Sequence, residues 1–259
     1  MPHALGKNHG GYCGETIDID DVLASLVAEA RARDWGVESL SVDPELNLIA
    51  LHRQPKTVSR RFYLSTGVHG DEPAGPLAVQ RMIEEDLFPD DAECWVLPCL
   101  NPTGFALNRR ETAAGIDLNR DYQNPQSGEV QTQVRWLENK GRFDCAVCLH
   151  EDWEAKGFYL YAVNPKNIPC VSEAIVDAVR PVFPIDRSAE IEGFPACDGI
   201  IRPPVNPLGP SIWPETLYLT KHHTDLGYTM ESSSDFPLAN RVDALVLAVR
   251  ALMNTVSPA

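Results

Sequence analysis

Arg61-Phe-Tyr-Leu-Ser-Thr-Gly-Val68-His69-Gly-Asp-Glu72-Pro73 reads as an apolar strand that runs into a turn and then a helix. Aromatic and β-branched residues carry the strand from Arg61 to Val68. Gly67 and Gly70 relax the backbone at its end. Pro73 suits the first position of a helix, which runs to about Asp86 through Leu77, Val79, Met82 and Ile83. The same alternation continues downstream. Cys94 to Leu100 is a strand stopped by Asn101-Pro102, and a loop without clear periodicity follows to about Asn124. Gln126 to Lys140 is helical, Cys145 to Leu149 is a buried strand, and Phe158 to Val163 is a short one. A helix spans Pro169 to Val182, and residues 184–214, rich in Pro and Gly, read as a long shaped loop. Gly227 to Met230 is a strand, and Leu238 to Met253 is a helix with a clear apolar stripe. Upstream, Asp20 to Arg33 is an amphipathic helix, and Leu40 to Leu51 holds two short strands about a turn at 44–47. Strands alternating with helices predict an α/β domain. In such sheets sites form at the carboxyl ends of strands.

The 259 residues suit one domain, 1–259, and the composition is that of an ordinary soluble protein. A net charge of −15 disfavours nucleic acid and anionic membrane surfaces as partners. The seven cysteines are scattered through apolar surroundings and read as reduced core thiols. Cys145 and Cys148 lie three apart in a strand, so they should point to opposite faces rather than share a metal. The start of the chain has no apolar stretch of the signal-peptide kind, and no run approaches the ~18 residues of a membrane helix. The expected location is the cytoplasm.

Four features carry chemistry. His69-x-x-Glu72 occupies the strand-to-helix turn, where two side chains can converge on one ion; taken alone it is equally a turn with a helix-capping acid. His150 leaves a buried strand in the same way. Two imidazoles and a carboxylate suit a catalytic zinc, which keeps a fourth position open for water. Arg109, Arg110 and Arg120 fall within twelve residues of an acidic chain. They are either solvated loop charge or an anion pocket in which a guanidinium meets a carboxylate in two-point fashion. Glu231 follows a short apolar strand, where partial desolvation would raise its pKa toward that of a general base.

Together these features resemble the zinc carboxypeptidase family, closest to compact bacterial members such as murein-peptide amidases. The matching elements are His69-x-x-Glu72, Asn101-Pro-x-Gly104 followed by Arg110, Gly115-x-Asp-x-Asn119-Arg120, His150 and Glu231. The resemblance runs from about residue 60 onward, and residues 1–40 match poorly. It implies a single α/β/α domain around a mixed, mostly parallel eight-stranded sheet, and one zinc per chain held by His69, Glu72 and His150. Arg110 would polarise the scissile carbonyl, Asn119 and Arg120 would clamp a terminal carboxylate, and Glu231 would act as the base. Tyr218 stands as the candidate for the family's mobile substrate tyrosine, with Trp213 and Glu215 nearby.

The expected activity is that of a metallocarboxypeptidase that cleaves the C-terminal peptide or amide bond of a small peptide bearing a free carboxylate. The alternative is an N-acyl amino-acid deacylase resembling the succinylglutamate desuccinylase and aspartoacylase group, which shares the metal and arginine motifs. That group usually carries a further C-terminal β-domain, and here a helix follows soon after Glu231. A metal-binding module without catalysis would need a missing base or arginine. His222-His223 reads as a solvated pair in a polar loop, and Glu151, Asp152 and Glu154 as surface charge or as carboxylates orienting a ligand histidine.

Overall fold

Side chains alternate across a strand, and the central strands of this chain are apolar on both faces, so both faces must be covered by helices. The computed structural model describes residues 1–8, 15–204 and 212–257. Its helices are α1 (Ile19–Ala32), α2 (Ala74–Glu84), α3 (Pro102–Leu107), α4 (Gly128–Leu137), α5 (Ser172–Val179), α6 (Glu215–His222) and α7 (Leu238–Thr255). Its strands are β1 (Gly36–Ser41), β2 (Asn47–Arg53), β3 (Arg60–Thr66), β4 (Ala92–Leu97), β5 (Cys145–Asp152), β6 (Tyr159–Val163), β7 (Glu190–Ile191), β8 (Phe194–Cys197), β9 (Ile200–Ile201) and β10 (Gly227–Ser233).

In β3, Phe62 and Leu64 join the core under α1, α2, α5 and α7, whereas Tyr63 joins the core under α4 and α6. β5 divides the same way, with Cys145, Val147 and Leu149 on one side and Ala146 and Cys148 on the other. Cys145 and Cys148 therefore face opposite ways, as the alternation requires. Cys13 lies outside the described residues.

The strand order is β1-β2-β4-β3-β5-β10-β6-β9-β8-β7. Parallel pairing joins β4, β3, β5 and β10 in the middle and β6 to β9, and every other pairing is antiparallel. The expected mixed sheet is present, but with ten strands among the described residues in place of eight, and with four parallel pairings against five antiparallel ones in place of a mostly parallel arrangement. The added strands come from the stretch read as a loop. β7, β8 and β9 are two to four residues long, too short to display a period of two. Two-residue turns join them at Glu192-Gly193 and Asp198-Gly199, where all four residues have positive φ, as primed hairpin turns demand.

α6, which begins just beyond that stretch, also went unforeseen. Its Leu219 packs under the sheet beside Tyr218, and His223 caps it. His222-His223 is therefore a helix end and not a polar loop. His223 is buried, with Nε2 3.3 Å from the Tyr218 hydroxyl.

β5 and β10 outlast their predicted ends, pairing as far as Asp152 and Ser233. His150 and Glu231 consequently sit inside strands, directly across from one another in parallel register.

Candidate active site

The turn after β3 is fixed by close backbone packing. Gly67 has φ +62°, and a Cβ on Gly70 would fall 2.1 Å from the Gly104 carbonyl carbon. Only glycine permits that approach of two loops. Asn101 holds the second loop. Its Oδ1 caps α3 by accepting from Gly104 N–H at 2.8 Å, and its Nδ2 donates to Val68 O at 3.3 Å and Arg110 O at 3.0 Å. One buried amide therefore places His69 and Arg110 side by side.

His69, Glu72 and His150 are each at most 5% exposed. They form the one group of His, Cys, Asp and Glu side chains among the described residues whose ligand atoms all lie within 4.8 Å of one another. Glu72 Oε1 is 2.5 Å from His69 Nδ1, and Oε2 is 3.0 Å from His150 Nδ1. The Oε2 contact lacks hydrogen-bond geometry, and Oε2 and His69 Nε2 have no hydrogen-bond partner. Buried polar atoms left so are rare. Two imidazole nitrogens turned on a buried carboxylate, with a lone pair unused, form a donor set that fits zinc. Burial drives the Glu72 carboxyl up, but the two imidazoles outweigh it and hold its pKa well below the usual range. Burial likewise lowers His69, and Glu72 and Asp117 more than reverse this.

Asp117 is the residue that sequence reasoning left without a role. Its Oδ1 lies 3.4 Å from His69 Nε2 and accepts the Asn119 N–H at 2.9 Å, while Oδ2 accepts from Arg110 Nε at 2.8 Å. It orients an imidazole and a guanidinium together. The signal was present, since Asp117 is the acid inside Gly115-x-Asp-x-Asn119-Arg120.

His69, Glu72, His150 and Arg110 line a cavity of about 400 Å³, together with Asn119, Arg120 and Glu231. Asn119 Oδ1 accepts the backbone N–H of Glu215 at 2.9 Å. The amide's two N–H donors are thereby left for the cavity it lines. Glu231 is half-buried. Burial pushes its carboxyl well above the usual range; His150 opposes this, and Glu72 and Asp152 add to it. Thr229 shares its face, while Tyr228 and Met230 point into the core.

Tyr218 is a correction. It is 8% exposed, packs against Tyr122 and His223, and is absent from the cavity wall. α6 turns it toward the core, a turn hidden while the stretch was read as loop. Glu215 is buried too, accepting from Tyr63 Oη at 2.9 Å and from Gln133 Nε2. The tyrosines on the cavity wall are Tyr159 and Tyr161, which the alternation of β6 could have revealed.

Residues 58–183 match the model of the succinylglutamate desuccinylase/aspartoacylase catalytic domain. Carboxypeptidase SOL1 of Arabidopsis thaliana is 28% identical over 104 residues, covering 32% of this chain and 21% of that protein. The chain thus spans about a fifth of that relative's length. A provisionally assigned metallopeptidase of Shewanella amazonensis superposes with a TM-score of 0.78 at 25% identity, over 93% of this chain and 94% of that one. A metallo-carboxypeptidase of Pseudomonas aeruginosa, solved with (2-guanidinoethylmercapto)succinic acid, gives a TM-score of 0.65 at 20% identity, over 90% of this chain and 68% of that one. By its fold the chain is metallocarboxypeptidase-like, and its residues 58–183 are similar to the succinylglutamate desuccinylase/aspartoacylase catalytic domain.

Proposed function

We propose that the protein is a zinc-dependent metallocarboxypeptidase acting on a small peptide with a free carboxylate beside the cleaved amide. The observation that carries this reading is the convergence of His69, Glu72 and His150 in one cavity with Arg110, Asn119, Arg120 and Glu231. His69, Glu72 and His150 would hold one zinc per chain, and the ion when bound would supply a Lewis acid and lower the pKa of water. Asn119 presents two N–H donors, and Arg120 a guanidinium, to the substrate carboxylate. Arg110, held by Asp117, faces the oxyanion that develops on the scissile carbonyl. Glu231 takes a proton from the attacking water and passes it to the leaving amine nitrogen.

The domain match over residues 58–183 favours a second reading, deacylation of an N-acyl amino acid. It uses the same bond type and the same carboxylate clamp, so the two differ only in what precedes the amide. The deciding experiment is metal analysis with turnover measured on peptides, γ-linked glutamyl-diaminopimelate peptides and N-succinyl or N-acetyl amino acids. About one zinc per chain is expected, with cleavage of peptides ahead of simple N-acyl amino acids. His150→Ala should lose both metal and turnover; unchanged zinc content in that variant would remove His150 from the ligand set.

No helix among the described residues is long and apolar enough to cross a membrane. The net charge of −15 is consistent with our reading that neither nucleic acid nor membrane is a partner, and we place the protein in the cytoplasm.

A further inference from the structure

The residue next to His150 is not used by the chemistry above. Glu151 is buried on the face of β5 that carries α2 and α7. Its Oε1 accepts the backbone N–H of Ala74 at 2.8 Å, and its Oε2 accepts from an arm of Arg241 at 2.6 Å. Ala74 is the first residue of α2, two residues beyond Glu72. Arg241, on α7, is 0% exposed, and its other arm donates to Glu15.

A fully buried arginine is an expensive way to fill a helix–sheet interface, since apolar residues of similar size would often serve stability as well. What an arginine adds is a planar fork that reaches two carboxylates at once. One end of that fork grips the carboxylate joining the strand of His150 to the helix start behind Glu72. Ligand distances around zinc tolerate only about 0.2 Å, and the two ligand segments lie far apart in sequence. Some group has to fix one against the other.

We propose that Glu151 and Arg241 are positioning residues for the metal ligands. The Glu151 carboxylate ties the His150 strand to the Glu72 turn, and Arg241 holds that carboxylate in place. The inference rests on the metal reading given above. It makes no use of substrate contact, so metal affinity and ligand-field geometry report on it directly.

The test measures the zinc Kd by chelator competition and the visible spectrum of the cobalt-loaded protein. Both are recorded for the wild type, the Glu151→Leu/Arg241→Leu pair and Arg241→Lys. Glu15 is partly exposed and can rehydrate when its partner is removed. The leucine pair is expected to melt within a few degrees of the wild type when both are metal-free. Its zinc Kd should rise roughly tenfold to a hundredfold, the usual effect of losing a partner behind a ligand, and its cobalt bands should shift. Arg241→Lys keeps the charge but loses one arm, and a smaller rise of roughly threefold to tenfold is expected. Folded variants with the wild-type Kd and cobalt spectrum would overturn the proposal. If the leucine pair does not fold, Arg241→Lys decides on the same two readouts. A wild-type protein that takes up no zinc would sink the metal reading itself, and this inference with it.

Discussion

In the proposed mechanism, Glu231 illustrates how one residue's environment suits it to a role. Burial and the nearby Glu72 and Asp152 carboxylates raise its pKa, which suits a group that must take up a proton and give it back. Glu231→Gln keeps the side-chain shape and is expected to retain zinc and fold while losing turnover by at least ~10². Near-normal turnover with zinc bound would exclude Glu231 from the mechanism. Arg120 makes the second case. A guanidinium in a cavity costs on the order of 1–3 kcal/mol when its partner is missing. Amidating the substrate carboxylate should therefore lower kcat/KM by roughly tenfold to a hundredfold. Arg120→Ala should lose a similar factor on the acid and almost nothing on the amide. Equal cleavage of acid and amide by the wild type would end the exopeptidase reading. The structure brings His69, Glu72, His150, Asn119 and Arg120 to one cavity; the first three drew notice because each follows or closes an element that the sequence displays, whereas Asn119 and Arg120 lie in a stretch read as loop and stood out by their motif alone. Asp117 was visible as a letter but not as a partner, because its role lies in touching His69 and Arg110. Glu151 and Arg241 were further hidden, since their meeting depends on where α7 crosses β5.

At the scale of elements, the long strands and amphipathic helices were readable from period alone, whereas β7, β8, β9 and α6 were not. Asp198-Gly199 is a turn signal that the sequence did contain, but the strands beside it are too short to support it. The hairpin side of the sheet offers a stability test. Glu93 on β4 accepts from His52 Nε2 of β2 at 3.0 Å and from Arg61 of β3, so one carboxylate spans three strands. Burial raises its pKa, but Arg61 and His52 more than compensate, and the net shift is downward from 4.5. A carboxyl lowered in the folded state binds its proton more readily when unfolded. Its contribution is therefore present above about pH 4.5 and is lost as pH falls through the lowered value. Glu93→Gln should cost about 1 kcal/mol at pH 7, as expected for a partly exposed pair. The urea midpoints of variant and wild type should converge near pH 3. A gap that persists or widens there would assign the effect to packing.

For the molecule as a whole, the poorly matched first 40 residues turn out to back the site. Ile19 of α1 packs on Cys99 and Phe105 beneath the paired glycine loops, and Glu15 reaches Arg241. Backbone N–H groups of Gly6 and Lys7 donate to Asp235, and Asn8 Nδ2 donates to Ser234 Oγ at 2.9 Å. None of this was legible, because each contact joins residues 80 or more positions apart and no local pattern encodes it. The same two-faced sheet has a consequence for reagents rather than substrates. Cys94, Cys99, Cys145 and Cys148 are at most 1% exposed, whereas Cys197 is open. Burial pushes the Cys94 thiol up to about 12, so almost no thiolate exists there to be alkylated. An alkylating probe should therefore mark Cys197 at once and the four sealed thiols only when the structure opens. Counting modified thiols by mass against time then reads the opening rate of both cores, one through Cys145 and the other through Cys148. A ligand that binds only the folded chain lowers the open population. Zinc should accordingly slow the late phase and leave the early one alone, and an unlabelled protein would carry its own gauge of metal occupancy.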